Sequence, residues 1–283
     1  MTLFKRAEDL VRWLDEQRKN GLSIGFVPTM GALHAGHISL IDISKRSSQI
    51  TVCSIFVNPT QFNDPRDFQK YPITLEKDIA LLEQAGTEAL FLPSVDDLYP
   101  GGTKELEHYD LGPLETILEG KYRPGHFQGV CQVMKRLLTI VAPDDLYMGQ
   151  KDYQQCMVVQ KLIDIMRSAS RLHPCPIVRE EDGLAMSSRN MRLSSGERKQ
   201  APIIYEALGR VKAGWKEGTD PRQLEESAAA FLAEKGFRPD YVSIADARTL
   251  EPVSGFDRNQ PAVVLVAAFL GEIRLIDNMP LAG

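Results

Sequence analysis

Apolar positions along this chain keep two rhythms, and the order in which they alternate predicts its architecture. From residue 3 to residue 19 they recur at helical spacing (Leu3, Leu10, Val11, Leu14), with Gly21 as the stop. A strand over 23–27 runs into a glycine-punctuated turn and a helix that carries Ile38, Leu40 and Ile41 and ends near residue 45. Residues 50–57 (ITVCSIFV) are one continuous apolar, β-branched run, the pattern of a parallel strand covered on both faces. Thr74 reads as the N-cap of a helix to residue 85, stopped by Gly86, and a short strand over 89–92 follows. The glycine- and proline-rich stretch 93–125 has weak periodicity and predicts loops, short strands and a lid. Val130, Val133, Met134, Leu137, Leu138 and Val141 mark one face of a helix over 127–141. A strand over 145–148 leads into a helix to about residue 168. This repetition predicts an α/β fold: a Rossmann-like parallel sheet with right-handed crossovers and a ligand site at the carboxyl ends of its strands.

Residues 172–176 carry two prolines and read as a hinge or linker, and the grammar changes after them. A short strand over 177–178 precedes a polar loop, and Ser194 with Glu197 forms a capping box that opens a helix to about residue 216. Asp220 and Pro221 start a second helix that ends before Gly236. Strands are expected over 241–246, 262–270 and 273–277, the last two joined by a tight turn at Gly271 and Glu272. The expected organisation is therefore a Rossmann-like domain over 1–175 and a smaller α+β domain with an antiparallel sheet over 176–283.

Composition narrows the class without changing that picture. A hydrophobic fraction of 43% and a charged fraction of 25% are those of a globular protein, and 283 residues suit two domains. The net charge of −5 argues against a nucleic-acid partner but leaves room for a small anionic ligand on a local patch. No run of about 18 apolar residues is present to span a membrane. The first residues lack a signal-peptide pattern, and Cys53, Cys131, Cys156 and Cys175 form no C-x-x-C pair. A cytoplasmic protein with reduced thiols is expected.

Four segments could carry chemistry. In Met30-Gly31-Ala32-Leu33-His34-Ala35-Gly36-His37, two histidines three residues apart share one side of the first turn of a helix. There the unpaired amides and the positive end of the macrodipole favour phosphate. Gly149-Gln150-Lys151-Asp152 places a compact positive charge at a helix start. Met186-Ser187-Ser188-Arg189 offers two hydroxyls and a guanidinium able to bind phosphate in bidentate fashion. Gln61 and Gln155 are amides that can read a hydroxyl and a carboxylate without adding charge, which suits a small hydroxy-acid. Each segment alone also reads as an ordinary polar turn. The P-loop, G-x-G-x-x-G and G-x-S-x-G patterns are absent, which disfavours Walker-type ATPases, dinucleotide dehydrogenases and α/β-hydrolases.

Read together, these segments resemble the pantoate–β-alanine ligase (pantothenate synthetase) family, through residues 27–37, 56–62, 123–129, 149–155, 182–190 and 266–277. The H-x-G-H motif marks the wider nucleotidyltransferase superfamily. The resemblance implies ATP-dependent condensation of (R)-pantoate with β-alanine by a cytoplasmic homodimer, with Mg²⁺ accompanying ATP. It implies that residues Met30 to His37, Gly149, Gln150, Lys151, Asp152, Val178, Met186, Ser187, Ser188 and Arg189 hold ATP. His37, His34, Lys151 and Arg189 would act in catalysis, and closure of the small domain would complete the site. Gln61 would contact pantoate and β-alanine, and Gln155 pantoate; Asn58, Arg123 and His126 are further candidates for that pocket. No protein metal ligand is assigned: position 77 is Lys where some relatives carry an aspartate, which leaves Asp78 alone on that helix. Two other readings stand beside this one: a superfamily enzyme that adenylylates a phosphate ester, and a nucleotide-binding sensor without turnover.

Overall fold

The computed structural model describes residues 1–281 except 64, 105 and 258; the side chain of residue 65 is likewise left undescribed. The chain forms two compact units, Met1–Gln150 with Gln154–Pro176, and Lys151–Tyr153 with Ile177–Gly283. Residues 151–153, inside the span read as the first domain, thus cluster with the second unit.

In the first unit the elements in chain order are β1 (Thr2–Phe4), α1 (Ala7–Lys19), β2 (Ile24–Thr29), α2 (Ala35–Ser47), β3 (Ile50–Ile55), α3 (Pro65–Gln69), α4 (Leu75–Gln84) and β4 (Ala89–Phe91). They continue with α5 (Val95–Leu98), α6 (Leu118–Tyr122), α7 (His126–Val141), β5 (Asp145–Gly149), α8 (Tyr153–Met166) and β6 (Arg171–Cys175). Six parallel strands pair in the order β1-β4-β3-β2-β5-β6. Alternation along the strands divides the core between the two faces. Phe26, Val52, Phe91 and Leu146 meet Leu10, Val130, Leu137 and Leu162 of α1, α7 and α8. Val27, Cys53, Leu90 and Tyr147 meet Leu40, Ile41 and Leu82 of α2 and α4. With both faces covered, all six residues of β3 are buried, as the uninterrupted apolar run required.

Several local expectations are corrected. Residues 2–4 are an edge strand parallel to β4, not the first turn of α1. Residues 171–175 are a strand, not a hinge; β6 bonds only to β5, and an edge strand tolerates Pro174, which has no N–H to offer. Within 93–125 the described residues contain no strand. Ser94 and Asp97 cap α5 reciprocally, and Pro113 opens a 3₁₀ turn, Gly112–Glu115. Thr74 flanks α4 but does not cap it; its hydroxyl turns to Asp78.

The second unit comprises α9 (Ser195–Gln200), α10 (Ile203–Lys216), α11 (Pro221–Glu234), β7 (Arg238–Asp246), β8 (Ala262–Leu270) and β9 (Ile273–Pro280). Its sheet is antiparallel in the order β7-β8-β9. Ile204, Leu208, Val211, Trp215, Leu224 and Leu232 pack on Val264, Val266 and Leu275. The Ser194–Glu197 capping box forms, and Asp220 accepts from the amides of Arg222 and Gln223. The single helix expected to residue 216 is two, because Pro202 cannot donate to the preceding turn. Residues 177–178 form no strand; one bridge, Arg179 to Ala185, closes the loop there. Among the described residues no helix is long and apolar enough to cross a membrane.

Candidate active site

In the first unit, β2 is where the sheet order reverses: β3 lies on one side and β5 on the other. Ligand crevices of open α/β sheets form at such reversals, outside the carboxyl ends of the strands. The β2–β5 ladder ends at Phe26, and Pro28 falls beyond it, where its missing N–H costs no pairing with β5. The chain then turns through two consecutive left-handed residues, Gly31 (φ +80°) and Ala32 (φ +50°). For an alanine that conformation is strained by roughly 1–2 kcal/mol and needs an outside restraint. Asp78, from α4, supplies one: its carboxylate, 1% exposed, accepts from the amides of Ala32 and Leu33 (2.8 Å each) and from the Thr74 hydroxyl (2.9 Å). The sequence by itself offers Asp78 only as a candidate metal ligand. Its place on the apolar stripe of α4, three residues after Leu75 and four before Leu82, marks a buried carboxylate that must be paired.

The turn delivers His34 as the N-cap of α2. His34 Nδ1 accepts from the Gly36 amide (3.2 Å), and His37 Nδ1 accepts from the His34 amide (3.3 Å). The imidazoles thereby form a reciprocal capping box, and part of the amide run expected to await phosphate is already used. A neutral ring that accepts at Nδ1 carries its proton at Nε2, so each histidine presents an Nε2–H donor. The two rings lie 4.1 Å apart.

Gln61 follows β3 in a 3₁₀ turn, Pro59–Gln61, and is 8% exposed. Asn58 caps that turn: its Oδ1 accepts from the Thr60 amide and the Tyr99 hydroxyl (2.8 Å), and its Nδ2 donates to Gln61 Oε1 (3.1 Å) and Gly129 O (3.0 Å). The α7 backbone approaches so closely that a Cβ on Gly129 would lie 2.2 Å from Thr60 O, so only glycine fits. His126, buried, holds the turn from below. Its Nε2 accepts from Arg123 (3.1 Å), which fixes Nδ1–H as the donor to Gln61 O (2.8 Å). Arg123 and His126, expected near the substrate, are thus seen to fix the backbone of Gln61. The Gln61 amide reaches Met30 Sδ at 3.1 Å, which joins the turn after β3 to the turn after β2. Of the paired glutamines on α8, Gln154 is buried and bonded to Leu114 O, Ile117 O and the Glu119 amide, while Gln155 is half-buried. Gly149 and Gln150 leave the end of β5, the strand beside β2. The Cys53 thiol behind this edge is pushed up to about 12 by burial and takes no part as a thiolate.

In the second unit the candidate residues occupy two short segments. Met186 N donates to Val178 O (3.0 Å), the Ser187 hydroxyl accepts from the Arg189 amide (3.3 Å), and residues Ser188–Arg192 form a 3₁₀ turn with Ser188 buried. Lys151 and Asp152, half-buried and exposed, belong to the 3₁₀ turn Gln150–Asp152. Arg179, not singled out in the sequence, braces the loop. It donates to Asp277 through two nitrogens (2.6 and 3.0 Å) and to Gly183 O (3.0 Å), and its guanidinium lies 4.2 Å from the centre of the Tyr205 ring.

A parallel sheet whose reversal point carries paired imidazoles on a helix start defines a Rossmann-like protein of the nucleotide-handling α/β class. Comparison with known proteins makes that class specific. The pantoate–β-alanine ligase family model matches residues 2–280. A pantothenate synthetase of Bacteroides fragilis is 42% identical over 279 residues, covering 99% of this chain and 98% of the relative. The crystal structure of pantothenate synthetase from Thermus thermophilus superposes with a TM-score of 0.92 at 39% identity, covering all of both chains. A Francisella tularensis pantoate–β-alanine ligase, complexed with β,γ ATP and β-alanine, gives 0.85 at 36% identity over 99% and 98% of the two chains. The chain belongs to the pantoate–β-alanine ligase family.

Proposed function

We propose that this chain condenses (R)-pantoate with β-alanine at the expense of ATP, in the biosynthesis of pantothenate and hence coenzyme A. The observation that carries the reading is the meeting of Met30 with Gln61. It brings a nucleotide-type histidine turn and a charge-neutral amide to one edge of one sheet. The family match supports it. A pantoate carboxylate oxygen attacks the α-phosphorus of ATP; the bond to the bridging oxygen breaks, and pyrophosphate leaves with the electron pair. The neutral amine of β-alanine then attacks the acyl carbon of the pantoyl adenylate, AMP leaves, and the amine proton passes to solvent.

No protein nucleophile is needed, so catalysis rests on positioning and on neutralising charge. His34 and His37 donate Nε2–H to the phosphates; Gln61 and Gln155 orient pantoate, and Gln61 also contacts β-alanine. The second unit's Lys151 and Arg189 neutralise phosphate charge, with Ser187 and Ser188 as hydroxyl partners. Met30, Gly31, Ala32, Leu33, Ala35, Gly36, Gly149, Gln150, Asp152, Val178 and Met186 complete the nucleotide contacts. Mg²⁺ would accompany ATP and would supply charge neutralisation at its phosphates; Asp78, whose two oxygens accept from the Ala32 and Leu33 amides and the Thr74 hydroxyl, serves the histidine turn and is not assigned as its ligand. The reading extends to a cytoplasmic homodimer, on family resemblance.

The test is AMP formation from ATP with each substrate omitted in turn. Pyrophosphate release should require pantoate, and steady AMP turnover should require β-alanine as well. AMP formed at the same rate without pantoate refutes the reading; ATP binding with no pyrophosphate release supports a sensor instead.

A further inference from the structure

We infer that Asn278 is a positioning residue for Lys151, and that the Asp277–Asn278 pair on β9 sets both nucleotide-binding segments of the second unit. The inference rests on the proposed contact of Lys151 with ATP. Along β9 the outward positions Arg274 and Ile276 are half-buried, as alternation predicts, yet Asn278 is 1% exposed. Its Nδ2 donates to Lys151 O at 2.9 Å. Tyr153 adds a second tie two residues on, its hydroxyl donating to Ala247 O at 2.7 Å. These bonds account for the packing of Lys151–Tyr153 with the second unit although they follow β5 in sequence.

The neighbouring Asp277 is 2% exposed and carries the bidentate pair with Arg179, whose Nη2 also donates to Asn278 O at 3.3 Å. The Asp277 carboxylate further accepts from the Asn278 amide at 2.8 Å. One buried node therefore holds the backbone at 151 and, through Arg179, the loop from 178 to 186. A lysine ammonium rides on a flexible four-carbon stem, so the place it can hold a phosphate depends on where its own backbone is fixed. The Asn278 amide fixes it without competing for the charge.

The test is a double-mutant cycle on the full chain, Lys151→Ala, Asn278→Ala and both together, read by pantoate-dependent exchange of pyrophosphate into ATP and by KM for ATP. Asn278→Asp, which keeps the volume and removes the donor, is the second variant should the alanine form fold poorly. Asn278→Ala and Asn278→Asp should each lower exchange kcat/KM for ATP about tenfold and leave KM for β-alanine within twofold. The double variant should be no worse than Lys151→Ala within about twofold, because the inferred effect of the amide on the reaction runs through its bond to Lys151 O. Losses that multiply in the double variant would overturn the inference and show a general structural role. Wild-type exchange in Lys151→Ala alone would instead remove Lys151 from the reaction, and the inference would fall with it.

Discussion

The Asp78→Asn substitution tests how the histidine turn is held. One carboxylate oxygen accepts from the Ala32 amide; the other accepts from the Leu33 amide and the Thr74 hydroxyl. Asparagine keeps a single acceptor oxygen, so its NH₂ must face one of those donors. A hydrogen bond to a charged acceptor is worth about 1.5–3 kcal/mol and a neutral one about 1, and a buried donor left unpaired costs about 1–3 more. One bond is lost outright and the others weaken, while removing a buried charge relieves part of the cost. The net is about 2–4 kcal/mol, which for a unit of this size lowers Tm by roughly 5–12 °C. Ala32 loses the restraint that keeps it at φ +50°, and His34 no longer enters α2 at a fixed angle. KM for ATP should therefore rise about tenfold or more. Thr74→Val, which removes only the neutral donor, should cost about 1 kcal/mol and leave KM for ATP within threefold. The assays are thermal melting and initial rates against ATP at saturating Mg²⁺. Asp78→Asn with native Tm and unchanged KM for ATP would refute the reasoning. Native Tm with a raised Mg²⁺ requirement would make Asp78 a metal ligand instead.

Other expectations follow from the same geometry. His37→Ala should slow pantoate-dependent pyrophosphate exchange by roughly a hundredfold, as loss of a preorganised donor does; near-normal exchange would remove His37 from the chemical step. Gln61→Ala should weaken pantoate binding and leave ATP binding intact by calorimetry, and an equal loss of ATP affinity would contradict the assignment of its amide to the acid. Glu225 on α11 is half-buried and accepts from the Ile244 amide (2.6 Å), and burial raises its pKa above the usual 4.5. The folded state therefore holds that proton more tightly than the unfolded chain. Its contribution is fully present below pH 4.5 and is lost as pH rises through the raised value. Glu225→Gln should match the parent in urea melts at low pH and exceed it at neutral pH. A difference that does not vary with pH would contradict this.

Local and repetitive features of this molecule were legible in its amino acids. The β-loop-α rhythm of the first 170 or so residues, the buried run at 50–55, the capping box at Ser194 and the Asp220 cap depend on neighbours within a few residues. Their physics is therefore written in the chain itself. Prolines are less legible, because their meaning depends on partners. Pro174 looks like a hinge until β6 is known to be an edge strand. Only the tertiary structure decided how the histidine turn is held. Asp78 comes from a helix more than forty residues along, Gly129 and His126 of α7 fix Gln61 from more than sixty residues along, and Asn278 reaches a lysine more than a hundred residues earlier. No periodicity encodes such pairings. They arise because a buried polar group must find a partner, and which partner is near is settled when the sheet closes.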